Sequence, residues 1–94
     1  MHAARAAVEL AQIKAARALV AAALRVVIDE IDPDAAMSAV PIWDSFGQLS
    51  VILAVEEAVR VRIRDQASFN RLTSVRGIAA FLADPPGIAR QGSL

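Results

Sequence analysis

A helical periodicity of polar and apolar residues runs through the first part of the chain. The first 31 residues contain neither glycine nor proline. From Lys14 onward the polar positions recur in steps of three or four and trace one stripe: Lys14, Arg17, Arg25 and Asp29, with Ala21 in the gap. The opposite side is apolar: Leu19, Val20, Ala23, Val26 and Val27. This pattern predicts an amphipathic helix that packs on a core. We expect it to end near Ile31, because Pro33 disfavours the helical conformation at Asp32.

A long loop is predicted over residues 32–43, where Asp-Pro-Asp and Val-Pro are turn and extended signals. Its larger apolar residues are Met37, Val40, Ile42 and Trp43. We expect so apolar a loop to pack back onto the helices, with Trp43 as its packing anchor.

Two further helices and a short helical turn are predicted after the loop. Asp44 and Ser45 are both good N-cap residues, and the second helix runs from them to Val59. Residues 60–64 alternate between arginine and apolar residues, which predicts an extended connection with Val61 and Ile63 turned inward. One helical turn is expected over 68–72. A Thr73-Ser74 cap then begins the last helix, with Val75, Ile78, Ala79 and Leu82 at helical spacing and Pro85-Pro86-Gly87 after it.

The composition agrees with an all-α fold. Alanine, the best helix former, accounts for 21 of the 94 residues, whereas glycine and proline number 4 each. A chain of this length forms one domain. We place the domain at residues 14–84, between an N-terminal helical extension or flexible segment (1–13) and a flexible C-terminal tail (85–94). The longest apolar run, 18–24, is far shorter than the roughly 20 residues that span a membrane. No membrane association is predicted, and we expect a cytoplasmic protein.

The inventory of reactive residues argues against several kinds of site. The chain has no cysteine and one histidine, His2, so disulfides, thiolate metal sites and cysteine nucleophiles are excluded. Ten Lys and Arg residues balance ten Asp and Glu residues, which does not support a nucleic-acid surface. No pair of titratable groups is placed for acid–base work. We therefore predict neither an enzyme nor a metal site.

The second helix carries two apolar faces. At 100° per residue from Ser45, Leu49, Leu53 and Glu56 fall near about 40°, 80° and 20°. The opposite face holds Val51, Val55 and Ala58, near about 240°, 280° and 220°. One face can pack on the core, and the other shares its side with a carboxylate. An exposed apolar stripe of this kind is typical of a docking surface for another protein, although the long loop or the N-terminal extension could also cover it.

Trp43-Asp44-Ser45-Phe46, at the start of a helix that ends with Glu56-Glu57, resembles the motif of the acyl carrier proteins and of the related aminoacyl and peptidyl carrier domains. The resemblance covers residues 15–84. Apolar residues four, eight, fourteen and eighteen positions after the serine also match, as do acidic residues at eleven and twelve: Leu49, Leu53, Val59, Ile63, Glu56 and Glu57. Thr73-Ser74-Val75 matches the start of the family's final helix.

The resemblance implies a four-helix bundle with a long loop between helices 1 and 2 and a short third helix. It also implies that Ser45 is the attachment site of 4′-phosphopantetheine from coenzyme A. Asp44, Leu49, Leu53, Glu56 and Glu57 would then form the docking surface. Its partners would be a phosphopantetheinyl transferase, an acyl- or aminoacyl-loading ligase or synthase, and downstream tailoring enzymes. The expected protein is a monomer.

The chain departs from the family's usual pattern at three positions. Ile42 stands where the family usually has a glycine, and Gly47 and Ser50 stand where fatty-acid carriers often have acidic residues. Together with the net charge of zero, these departures favour a specialised biosynthetic pathway, or an aminoacyl or peptidyl carrier, over general fatty-acid synthesis.

Simpler roles compete with the docking interpretation. Ser45 would be a plain helix cap in an unrelated protein, and Asp44 a second cap. Glu56 and Glu57 would be a solvated helix end, and Phe46 is expected in the core behind the serine. The arginines at 60, 62 and 64 are interpreted as a solvated edge. The main alternative function is a helical interaction or dimerisation module without a prosthetic group, and a helix-turn-helix over residues 64–82 is a more distant one.

Overall fold

The computed structural model describes residues 2–85, which form an all-α bundle. Four α-helices are present in this range: α1 (His2–Leu24), α2 (Ser45–Val59), α3 (Gln66–Arg71) and α4 (Val75–Ala83). A single 3-10 turn (Ile28–Glu30) lies in the connection between α1 and α2. The predicted all-α bundle, with a long loop after its first helix and a short third helix, is confirmed. The expected tail lies outside the described residues from position 86 onward.

The core lies where α1 packs against both α4 and α2. The largest fully buried side chains come from every helix but α3, and from the loops: Val20, Ile31, Trp43, Val51, Val55, Leu72, Val75, Ile78 and Phe81. In α4 the predicted positions Val75, Ile78 and Ala79 are buried, whereas Leu82 is half-buried. The inward orientation predicted for Ile63 is confirmed, and Val61 is half-buried beside it.

Helix α1 ends earlier than the pattern predicts. It stops at Leu24 instead of near Ile31, and Arg25 adopts the left-handed conformation with φ 61°. The Arg25 and Val26 N–H groups donate to the carbonyls of Ala22 and Ala21, at 3.2 and 2.9 Å, which is the Schellman arrangement of a helix end. Three β-branched residues follow at 26–28, a run with lower helix propensity. At its other end α1 continues without a break through residues 2–13.

The polar stripe predicted on α1 is also wrong in part. Ala21 is buried and Val27 is exposed. Arg17 is half-buried, and its guanidinium donates to the carbonyls of Ile31 and Ile28, at 2.6 and 3.3 Å. The long arginine side chain covers apolar surface with its methylenes while its head satisfies loop carbonyls. In so alanine-rich a helix, the positions of the polar residues do not by themselves identify the buried face.

The long loop packs back onto the bundle, as predicted. Ala35 and Trp43 are buried, and Met37 and Val40 pack against the core. Backbone hydrogen bonds join the loop to the start of α4: Met37 N–H to Thr73 O at 2.8 Å and Val75 N–H to Ala35 O at 3.0 Å. Ile42 is the exception, since it is exposed. The loop therefore reaches α2 as a fixed segment.

Side-chain caps set the starts of the later helices. The Asp65 carboxylate accepts the Ser68 N–H at 2.8 Å at the start of α3, and the Ser74 hydroxyl accepts the Gly77 N–H at 3.0 Å at the start of α4. An added Cβ at Gly77 would lie 1.9 Å from the Arg71 carbonyl oxygen, so only glycine permits this close approach of α4 to the end of α3. Within residues 2–85, no helix is both long and apolar enough to cross a membrane.

Candidate functional site at the start of helix α2

Ser45 is the first residue of α2, and its side chain is exposed. The capping role falls to Asp44, whose Oδ1 accepts the Gly47 N–H at 2.8 Å. Among residues 2–85, the Ser45 hydroxyl has no hydrogen-bond partner. The simplest structural role for this serine, that of a helix cap, is therefore taken by its neighbour. The hydroxyl is left free at the positive end of the α2 dipole.

Trp43 fixes the chain immediately before this serine. Its side chain is fully buried, and its indole N–H donates to Oε1 of Gln48. The Gln48 amide nitrogen in turn donates to the Leu72 carbonyl oxygen at 2.9 Å. This buried relay ties the start of α2 to the residue that follows α3. The predicted role of Trp43 as a packing anchor is confirmed.

Gly47 fixes the same turn from the other side. An added Cβ at this position would lie 2.7 Å from the Ile42 carbonyl oxygen and 2.8 Å from Cδ2 of Leu24. The absence of a side chain lets the first turn of α2 lie directly against the loop and the end of α1. A residue with a side chain at this position would need a shift of the backbone at Ile42 and of the Leu24 side chain.

An exposed apolar stripe begins beside Ser45 and continues along α2. It consists of Phe46, Leu49 and Leu53, which are 81%, 58% and 64% exposed. The prediction that one apolar face of α2 is accessible is confirmed by Leu49 and Leu53. The prediction that Phe46 lies in the core behind the serine is wrong, because its side chain is exposed, whereas those of Leu24 and Trp43 are buried. Phe46 and Leu53 are seven residues apart and therefore only about 20° apart around the helix, a spacing that would have placed Phe46 on the stripe.

The opposite face of α2 is buried much as predicted. Val51 and Val55 are buried, but Ala58 is exposed, and Gln48 and Val59 complete the buried face. The centre of the buried face therefore lies closer to Val55 than the predicted set of Val51, Val55 and Ala58 indicates.

The two glutamates at the end of α2 have different surroundings. Glu56 is half-buried, and its Oε2 accepts the Ile63 N–H at 2.8 Å. This bond holds the 61–64 connection against α2, a role that the sequence pattern did not suggest. Glu57 is exposed, and both glutamates line an open cleft next to Leu53, together with Arg60 and Arg62. Of the two, Glu57 is the carboxylate that is free to meet a partner.

A second open cleft, of about 370 Å³, lies between the end of α1 and the start of α2. Its lining residues are Ala23, Leu24, Arg25, Ile42, Asp44, Phe46, Gly47 and Ser50. Sequence reasoning did not assign Arg25 to this site, because it placed residue 25 in the middle of a longer helix.

The exposed residues Ser45, Leu49, Leu53 and Glu57 follow one another along one side of α2, and Asp44, also exposed, lies at the start of the helix. In the described range, no three histidine, aspartate or glutamate side chains are close enough to hold a metal ion. Comparisons with family models, curated proteins and solved structures find no match for this chain. The chemistry that the site offers is that of a free hydroxyl at a rigid helix start, next to an exposed apolar surface.

Proposed function

We propose that the protein is a carrier that holds acyl or aminoacyl intermediates on a 4′-phosphopantetheine arm attached to Ser45. One observation carries the proposal: the Ser45 hydroxyl is exposed and unbonded within the described residues, while Asp44 caps the helix in its place. A serine without a structural task, at the motif position of the carrier family, is free for modification.

The surroundings of Ser45 fit a phosphodiester. The unpaired N–H groups and the dipole at a helix N-terminus favour an anion, and the serine side chain faces solvent. In the modification, the Ser45 oxygen bonds to the phosphorus nearest the pantetheine of coenzyme A. Adenosine 3′,5′-bisphosphate leaves with the electrons of the broken P–O bond, and the hydroxyl proton passes to a base of the transferase. The arm supplies a thiol that carries cargo as a thioester.

The exposed stripe supports docking of the enzymes that such a carrier meets. Exposed apolar patches on monomeric proteins often mark interaction sites, and this stripe starts next to the proposed attachment residue. We propose that Leu49, Leu53 and Glu57 contact a phosphopantetheinyl transferase, a loading ligase or synthase, and tailoring enzymes. Glu56 contributes by holding the 61–64 connection against α2. Such contacts are expected to be small and short-lived. The proposed carrier is a monomer of the cytoplasm that performs no catalysis itself, in a specialised pathway.

Intact-mass measurement tests the proposal directly. The wild-type protein is incubated with coenzyme A, magnesium and a broad-specificity phosphopantetheinyl transferase, and Ser45→Ala is treated alongside. We expect the wild type to gain the mass of one phosphopantetheine and the variant to gain nothing. Ser50→Ala, which removes an exposed hydroxyl from the same helix, is the matched control and should be modified like the wild type.

Two outcomes would contradict the proposal. Equal gain in wild type and Ser45→Ala would place the modification elsewhere. No gain with several transferases, in a protein whose helical circular dichroism shows it to be folded, would instead favour the interaction module without a prosthetic group. Sedimentation analysis would then ask whether the stripe joins two copies.

A further inference from the structure

The cleft between the end of α1 and the start of α2 has a charged residue at its edge that the docking surface does not use. We propose that Arg25 binds an anionic oxygen group carried by the adduct on Ser45. This inference rests on the proposed carrier function and names an electrostatic partner for the prosthetic group within the chain itself.

The position of Arg25 is the first argument. It lines the cleft together with Asp44 and Phe46, the two residues that flank Ser45 in the chain. Ser45 lies between these two residues in the chain but does not itself line the cleft, so a group attached to its oxygen would reach the cleft by extending from the start of α2. The volume of about 370 Å³ lies within the range of small-molecule sites in proteins.

Charge balance is the second argument. The Asp44 carboxylate already lies at the start of α2, where it accepts the Gly47 N–H. A phosphodiester on Ser45 would add a second negative charge beside it, and like charges at close range disfavour each other. Among the described residues that line the cleft, Arg25 is the one cation. Its guanidinium makes no ion pair within residues 2–85, so it is available to balance the added charge.

The backbone at Arg25 is the third argument. The residue holds the left-handed conformation, with φ 61°, at a helix-end position where glycine is usual. An arginine at this position carries a conformational cost that glycine would not. Arg60 has the same conformation, φ 58°, after the end of α2, but lines the other cleft, with Leu53 and Glu57. Arg60 is thus a matched control. It is an arginine, it has the same backbone conformation, and it also lies at a helix C-terminus, where a cation is favourable.

The anionic group can come from two sources with the same chemistry. One is the phosphodiester, which every adduct on Ser45 contains. The other is a carboxylate at the far end of a dicarboxylic acyl cargo that folds back into the cleft, against the apolar walls formed by Ile42 and Phe46. Arginine suits both, because its planar fork matches the oxygens of phosphate and carboxylate groups.

The experiment compares wild type, Arg25→Gly and Arg60→Gly, each loaded to completion as verified by intact mass. Glycine relaxes the left-handed backbone in both variants, so a loss of fold is not expected and circular dichroism checks it. Each protein is loaded from coenzyme A, butyryl-coenzyme A or succinyl-coenzyme A. The readouts are the ³¹P chemical shift of the phosphodiester and the change in Tm on loading.

If Arg25 binds the phosphodiester, the ³¹P signal shifts in Arg25→Gly with all three adducts, and part of the Tm gained on loading is lost. Arg60→Gly should match the wild type in both readouts. If Arg25 binds the cargo carboxylate, the difference in Tm between wild type and Arg25→Gly appears with the succinyl adduct and not with the butyryl adduct.

Identical ³¹P shifts and loading-induced Tm changes in the three fully loaded proteins would overturn the inference and leave the carrier function standing. Equal effects of Arg25→Gly and Arg60→Gly would also overturn it, because the effect would then belong to helix-end arginines in general. Failure of wild type and both variants to load would overturn the proposed function, and this inference with it.

Discussion

Neighbouring residues at the start of α2 divide the structural tasks among themselves. Trp43 fills the interior, Asp44 caps the helix, and Gly47 allows the close contact with the loop and α1. Ser45 performs none of these tasks, although it lies among them. The same three neighbours hold its backbone in place, so a modifying enzyme would meet a hydroxyl with a fixed position.

Two substitutions separate the capping hydrogen bond of Asp44 from the effect of its negative charge. Asp44→Asn keeps an oxygen that can accept the Gly47 N–H, whereas Asp44→Ala removes it. We expect Asp44→Ala to lower the free energy of unfolding by about 1 kcal/mol and Asp44→Asn to lower it by only a few tenths. Urea denaturation measures both. Equal losses in the two variants would show that the interaction of the carboxylate charge with the helix dipole, and not the cap, stabilises this turn.

Gly47→Ala tests the close approach at the site. In an open helical position this change stabilises a protein by roughly 0.5–1 kcal/mol. Here the new Cβ would lie 2.7 Å from the Ile42 carbonyl oxygen, so we expect a destabilisation of about 1–3 kcal/mol. Ser50→Ala, on the exposed side of the same helix, should be neutral or slightly stabilising. A Gly47→Ala variant as stable as wild type would mean that the loop yields easily and does not fix Ser45.

Single residues also show where sequence reasoning stops. The Asp-Ser pair predicted a helix start but left open which side chain caps it, because both have a suitable oxygen. The choice depends on backbone angles that the loop imposes. Gln48 was not singled out because a polar residue on a helix is usually solvated. Only the tertiary fold brings Trp43 and Leu72 close enough to satisfy it.

At the scale of elements, α2 buries Gln48 and three valines on one side and exposes its large apolar residues on the other. The stripe of Phe46, Leu49 and Leu53 remains uncovered by the described loop and by the N-terminal part of α1. Burial by these two segments was the competing expectation. In the proposed function, this uncovered stripe is the surface that makes transient contacts with enzymes.

Leu49→Glu tests whether the stripe docks the transferase. Because Leu49 is 58% exposed, we expect Tm to stay within a few degrees of wild type. The transferase kcat/KM should fall by about tenfold or more, which corresponds to roughly 1.4 kcal/mol. Ala58→Glu introduces the same charge at an exposed position outside the stripe and should retain the wild-type rate. Loss of helical structure in Leu49→Glu would show that Leu49 supports the fold, and an unchanged rate would remove it from the docking surface.

The sequence predicts the starts of α2 and α4 better than the end of α1, for a physical reason. The starts of α2 and α4 were predicted because side-chain caps are local, and the N-caps are indeed Asp44 and Ser74. The end of α1 was not, since nothing in the residues after Leu24 blocks a helix before Pro33. Instead, α1 ends where Arg25 adopts the left-handed conformation, and Arg17 donates to the carbonyls of Ile28 and Ile31 in the loop that follows. These features exist only once the chain has folded.

At the scale of the whole molecule, α1 provides the main helix packing of the bundle. It packs on both α2 and α4, and its buried residues begin at Ala16. Residues 4–11 of the same helix are exposed, with Val8 and Leu10 among them. Helix α1 is thus continuous but has two environments: its N-terminal part is exposed, and its later part packs in the bundle.

Deletions from the N-terminus test this division. Removing residues 1–7 takes away no buried side chain of the described residues 4–7, so we expect the free energy of unfolding to change by less than about 1 kcal/mol. The rate of Ser45 modification should not change. Removing residues 1–18 also deletes the buried Ala16 and the loop-binding Arg17, and cooperative unfolding should be lost. A large effect of the shorter deletion would give the N-terminal part of α1 a structural task.

The burial of Trp43 has a practical consequence for spectroscopy. The chain has one tryptophan and no tyrosine, so excitation in the near ultraviolet reports almost entirely on the residue two positions before Ser45. Buried and bonded to Gln48, this indole should emit at blue-shifted wavelengths in the native state and move to the red when the start of α2 opens. The molecule thus contains its own fluorescent reporter, and a stopped-flow experiment could follow in real time how the start of α2 responds to the proposed modification of Ser45.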